Sequence, residues 1–313
     1  MRYLGVVFLA VVLPVHAAWL DEWEAAQNQA VLDWQAAASE LAEQVQIACA
    51  DREFLSAEQR QSVQPAWQHL VSQWGVITTQ SPAVIDELGL GYRVAFWPDS
   101  RGIVGRQMQT HQQERAEGTY QSLQLAGHGI QAVDWLLAQP EPDCVLLLDW
   151  AEVYQGYLDQ ITEQLPLRLT PADRALTLAT NDLYAQASRI NQRLREVIPE
   201  ADGRYRPFMG DVSETGQSLT LVKAALNDLA RRIVEVTDGF PDDSQDRTAD
   251  SLSSDVQQLA DQLPEGWPMD DAEAAWDIST RIRAVNVAVE TWLSDDVAAR
   301  YSLLIGFNNQ DGD

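Results

Sequence analysis

Apolar residues recur three and four positions apart along almost the whole chain, and this period restricts the fold more than any other feature. Trp23, Ala30, Trp34, Ala38, Leu41, Val45 and Ala48 make one stripe. Val63, Trp67, Leu70 and Trp74 make a second, and Leu123, Ile130, Val133 and Leu137 a third. Val145 to Ile161 and Leu176 to Leu194 continue the pattern, and Leu219 to Ile233, Leu252 to Leu259 and Ile278 to Trp292 complete it. Each stripe marks one buried face of an amphipathic helix. Runs that alternate apolar and polar residues, as half-buried strands require, are nearly absent. Breakers fall between the stripes: Ser81-Pro82, Pro98-Asp99, Pro140-Glu141-Pro142, Asp202-Gly203, Pro241-Asp242 and Pro264 to Pro268. Thr170-Pro171 reads as a helix start, with Thr170 as the cap. The expected fold class is all-α, with long helices and short connections packed as bundles.

The first residues carry a different signal. Arg2 gives a basic start, Leu4 to Leu13 is almost entirely apolar, and Val15-His16-Ala17 offers small residues for cleavage. This is the pattern of a secretory signal peptide over residues 1–17. The apolar run is far shorter than the ~20 residues that span a bilayer, and no later segment approaches that length. The expectation is an exported protein, periplasmic or outer-membrane-associated, with no transmembrane segment after cleavage. The remaining chain is long enough for one large or two ordinary domains. A boundary is placed where the helical pattern gives way to Asp, Gly, Arg and Pro, giving halves at residues 18–200 and 201–313.

The formal net charge is −26. A phosphate backbone would repel such a surface, which argues against nucleic-acid binding. The two cysteines, Cys49 and Cys144, are an even number in a chain expected to be exported, which points to a disulfide. Two buried free thiols are the alternative. Eleven tryptophans lie mostly on the stripes, where core packing accounts for them. No phosphate-binding loop, dinucleotide fingerprint, nucleophile elbow or Cys-x-x-Cys is present.

Four segments carry further information. They are Phe96-Trp97-Pro98-Asp99-Ser100-Arg101-Gly102, Gly129-Ile130-Gln131-Ala132-Val133-Asp134-Trp135-Leu136-Leu137, Met209 to Leu219, and Ile305 to Asp313. In this order and spacing they resemble the imelysin family of bacterial envelope proteins. The first is similar to its Trp-Pro-Asp loop, the second to its G-x-H-x-x-E element, the third to its Gly-Glu-Gln-Ser-Leu element and the fourth to its Gly-Phe-Asn…Asp-Gly-Asp ending. The resemblance implies two helical-bundle halves side by side with a groove between them. It also implies an envelope setting and a link to iron acquisition, with iron as candidate cofactor and iron or an iron-uptake envelope protein as candidate partner. It supports pairing of Cys49 with Cys144 as well.

In G-x-H-x-x-E the His and Glu project from one helical face and supply half of a typical divalent-metal site. The aligned residues here are Gln131 and Asp134. An amide binds transition metals poorly but donates and accepts hydrogen bonds. The substitution argues against a metallopeptidase and favours a binding groove. The groove is expected to comprise Gln131, Asp134, Arg101, Asp99, His128 and Glu214. Gln131 and Arg101 would orient a ligand, and Asp134 and Glu214 would supply negative charge. For Asp99 the alternative is a helix cap, and for Glu214 a role at a helix start. His111 and Glu114 form another H-x-x-E, in a polar run that otherwise reads as a solvated helix face. They are the substitute metal candidates, and with them, or with His128 and Asp134, goes the alternative reading of a metal-dependent peptidase. His69 reads as structural. A third reading is an acidic scaffold that docks an envelope partner.

Overall fold

The computed structural model describes residues 13–167, 174–198, 204–241 and 246–305, with side chains from residue 19 onward. Residues 1–12 of the expected signal peptide, the Thr170-Pro171 helix start, the expected boundary at residues 200/201 and most of the Ile305–Asp313 ending lie outside the described residues.

The chain is all-α, and no strand forms among the described residues. The major helices are α1 (Leu13–Ala48), α2 (Ala57–Gln80), α5 (Ile103–Glu117), α6 (Ile130–Ala138), α7 (Cys144–Thr162), α8 (Ala175–Val197), α9 (Ser218–Asp238), α10 (Arg247–Gln262) and α11 (Ala272–Thr291). Short helices α3 (Ala83–Glu87) and α4 (Gly91–Val94) follow α2, and α12 (Ala298–Tyr301) follows a six-residue π-helical stretch, Trp292–Val297. One isolated antiparallel bridge joins Phe54 to Asp143.

Helix ends follow from local chemistry. Ser56 and Gln59 form a reciprocal capping box at the start of α2. Asp143 accepts from the Val145 and Leu146 N–H groups to start α7. Asp246 and Asp271 cap α10 and α11 in the same way. The third stripe does not form one helix. Leu123 is buried ahead of a 3-10 turn at Leu125–Gly127, and α6 begins only at Ile130.

Packing is a chain of helix pairs. α1 lies on α2 and α7, α9 lies on α10, and α8 lies on α9 and α11. Helix α2 joins the groups by packing on both α9 and α8. At its crossing with α9 the helices meet at Gly75, where an added Cβ would stand 2.3 Å from the Leu221 carbonyl oxygen. Most of the tryptophans are core residues as expected, Trp97 and Trp276 being half-buried: Trp34, Trp67 and Trp150 are fully buried, and Trp150 stacks on Tyr154 at 4.9 Å. Cys49 and Cys144 form a disulfide that ties the end of α1 to the start of α7, with Cα atoms 5.4 Å apart.

Candidate functional site

Three segments meet where α6 begins. Gly129 precedes α6, and an added Cβ there would lie 3.0 Å from the Phe96 nitrogen. Its absence lets the Phe96–Asp99 stretch run across the helix start. The Gln131 amide fastens the two together by accepting from the Phe96 N–H at 2.8 Å. Its other end donates to Asp211 at 2.6 Å, bringing in the Met209–Leu219 segment.

Asp211 is buried and receives two more donors, the Trp74 indole at 3.0 Å and the Arg193 guanidinium at 2.6 Å. Arg193 also donates to Thr78 and lies over the Trp97 ring, 4.3 Å from its centroid. A buried carboxylate with three donors and a paired cation is a satisfied group.

One turn away on the same face of α6, Asp134 is 2% exposed. It accepts from the Glu214 N–H at 2.9 Å, the Thr215 N–H at 3.1 Å and the Thr215 hydroxyl at 2.6 Å. The Trp67 indole donates to that same hydroxyl at 2.9 Å. Burial raises the Asp134 carboxyl to about 7, with the Thr215 and Glu214 hydrogen bonds opposing and the Glu214 charge adding to the rise. Gln131 and Asp134 therefore hold the 209–219 segment at two points.

These segments enclose a cavity of about 280 Å³. Asp99, Gln131, Asp134 and Glu214 line it, together with the aromatic side chains of Trp97, Trp135 and Phe208. Two expected members do not. Arg101 is exposed, and its carbonyl accepts from the Arg106 guanidinium. His128 stands aside: its Nε2 donates to the Leu123 carbonyl at 3.1 Å and its Nδ1 accepts from the Tyr157 hydroxyl at 2.8 Å. Burial lowers its pKa, and the nearby Arg93 adds to that. Both ring nitrogens are engaged. Asp99 works as a cap, its two oxygens accepting from the Ile103 and Val104 N–H groups at 2.8 Å each. Glu214 is exposed at the rim.

His111 is buried, at 1% exposure, and the solvated face expected for it is not observed. The reason is the segment after α5, which folds back over the ring. His111 Nδ1 faces Glu114 at 3.0 Å and Nε2 accepts from the Gln124 N–H at 3.2 Å. Both nitrogens are used, which does not suit a metal ligand. His69 pairs with Glu40 across α1 and α2 at 2.7 Å. Among the described residues no three His, Cys, Asp or Glu side chains converge as a metal-holding group. The amide at 131 is committed at both ends, and Asp134 is committed to three protein donors. This donor set does not fit a resident iron ion.

Sequence reasoning missed Arg193, Asp211, Thr215 and Trp67 as parts of this construction. Asp211 and Thr215 stood in a quoted segment without a role. Arg193 lies on α8 beside the stripe residues Ile190 and Leu194, and a lone Arg flanking an apolar face was the available signal.

Two comparisons place the chain among known proteins. The family model for imelysin (peptidase family M75) matches residues 29–264. The solved structure of an imelysin-like protein from Psychrobacter arcticum 273-4 is similar in fold, with a TM-score of 0.77 at 15% identity. The match covers 97% of this chain and 100% of that one. No curated protein matches the chain.

Proposed function

Since the chain belongs to the imelysin family, we propose that it is an exported envelope protein serving iron acquisition as a non-catalytic binding component. Its ligand site is the cavity between the Trp97–Gly105 segment, α6 and the Phe208–Glu214 segment. The observation that carries this reading is that cavity, whose walls come from three segments distant in sequence and are held in place by Gln131 and Asp134. Such concave sites with an apolar lining and few polar groups are the usual form of ligand pockets. The link to iron rests on the family resemblance. The donor set argues that iron is reached through an organic ligand or a partner protein rather than as a bare ion held by these residues. A metal-dependent peptidase would need an open imidazole, and His111 and His128 have both nitrogens engaged.

Fractionation of the native host, grown with and without iron, tests the proposal. The expected result is a periplasmic or outer-membrane fraction containing a chain that begins at Ala18 and becomes more abundant under iron starvation. A cytoplasmic chain with an intact N-terminus, or abundance indifferent to iron, would reject it.

A further inference from the structure

The cavity wall combines carboxylates with aromatic rings and contains no Lys, Arg or His. The Asp99 charge is taken up by the start of α5 and the Asp134 carboxyl by three protein donors, so Glu214 is the carboxylate on this wall without such a commitment. A second, independent feature is Trp135. It is 8% exposed, its ring lies on the cavity wall, and its Nε1 has no hydrogen-bond acceptor among the described residues. Gly105 faces that nitrogen, and a Cβ there would stand 3.2 Å from it. The same wall thus carries one unused donor, the Glu214 carboxylate and the rings of Trp97 and Phe208.

We infer that the cavity binds a small organic ammonium ion with a hydrogen-bond acceptor next to its charge, of the kind found in amino-acid amides and amino alcohols. The inference rests on the reading of this cavity as the ligand site. The ammonium donates to Glu214, the adjacent carbonyl or hydroxyl oxygen accepts from Trp135 Nε1, and the apolar part lies against Trp97 and Phe208. Aromatic faces and carboxylates together favour cations. Carboxylate and phosphate ligands meet no Lys, Arg or His on the cavity wall and are disfavoured. A volume of about 280 Å³ suits a molecule of roughly a dozen heavy atoms.

The test uses the whole protein and three probes of similar size: phenylalaninamide, its N-acetyl derivative and phenylpropionate. Binding is read by calorimetry and by the indole N–H resonance of Trp135, assigned with Trp135→Phe. The expected result is that phenylalaninamide moves this resonance and binds at least about tenfold more tightly than the other two. Glu214→Gln, an exposed rim change, should weaken it severalfold. If the neutral or anionic probe binds as well or better, the ammonium assignment is overturned while the cavity stands as a ligand site. If no probe moves the Trp135 resonance, the assignment and the reading of this cavity as the ligand site are overturned together.

Discussion

Gln131 donates to Asp211 across 2.6 Å, spanning 80 positions of sequence. At the position where the family resemblance expects a metal-binding imidazole, this chain has a strut. The amide oxygen holds the Phe96 N–H and the amide nitrogen holds Asp211, so both ends serve the walls of the cavity.

Gln131→Leu should leave the Phe96 N–H and one Asp211 oxygen without their partner. Each group left unpaired costs about 1–3 kcal/mol. Gln131→His should lose less, because a neutral imidazole accepts at one nitrogen and donates at the other. Urea unfolding of the three proteins checks this, and equal losses in Leu and His variants would reject the strut role.

Asp134 should make stability fall as pH rises. Its carboxyl is raised from 3.8 to about 7 in the folded chain, so the native state keeps a proton that the unfolded state releases. The stabilisation is complete below pH ~4 and is lost as pH rises through about 7. At about 1.4 kcal/mol per unit of difference, the loss is on the order of a few kcal/mol. Asp134→Asn should flatten the profile between pH 4.5 and 8 in urea unfolding. Parallel profiles would contradict it.

Arg193→Met should be more damaging than its position on α8 suggests. It strands the buried Asp211 carboxylate, and breaking one side of a buried pair costs about 3–5 kcal/mol. Arg193→Lys should recover part of the loss by restoring charge without the flat contact on Trp97. Thermal melts of both variants measure the order, and a Lys variant no better than Met would show that charge is not the issue.

Removing the Cys49–Cys144 disulfide opens a loop spanning 95 positions. The loop-entropy relation gives about 4–5 kcal/mol for that length. Denaturant midpoints with and without reductant, and for Cys49→Ala/Cys144→Ala, should drop together.

Two helical glycines should respond with opposite signs. Gly75→Ala forces a Cβ against the Leu221 carbonyl oxygen and should cost at least about 1–3 kcal/mol. Gly156, within α7, has nothing within 4 Å of an added Cβ, and Gly156→Ala should stabilise by up to about 1 kcal/mol. Chemical denaturation of the pair distinguishes a packing glycine from a permissive one.

The all-α class was legible because helical periodicity is local. A stripe such as Trp23 to Ala48 states which face of a helix is apolar, and breakers such as Ser81-Pro82 and Pro140-Glu141-Pro142 mark where one helix gives way to the next. The motifs that hold Gln131, Asp134, Asp99 and Glu214 were legible because each is a local run of residues, and the fold brings all four to one cavity wall. What covers a face, and what a polar group meets there, is a relation between residues far apart. Asp134 finds Thr215, Asp211 finds Arg193, and His111 is closed off by Gln124, and no periodicity encodes those pairings. The loss of Arg101 and His128 from the cavity has the same origin, since each points where its own element faces after packing. Sequence determined which residues needed a partner, and tertiary packing decided which partner arrived, because burial removes water as the alternative and leaves each polar group only its spatial neighbours.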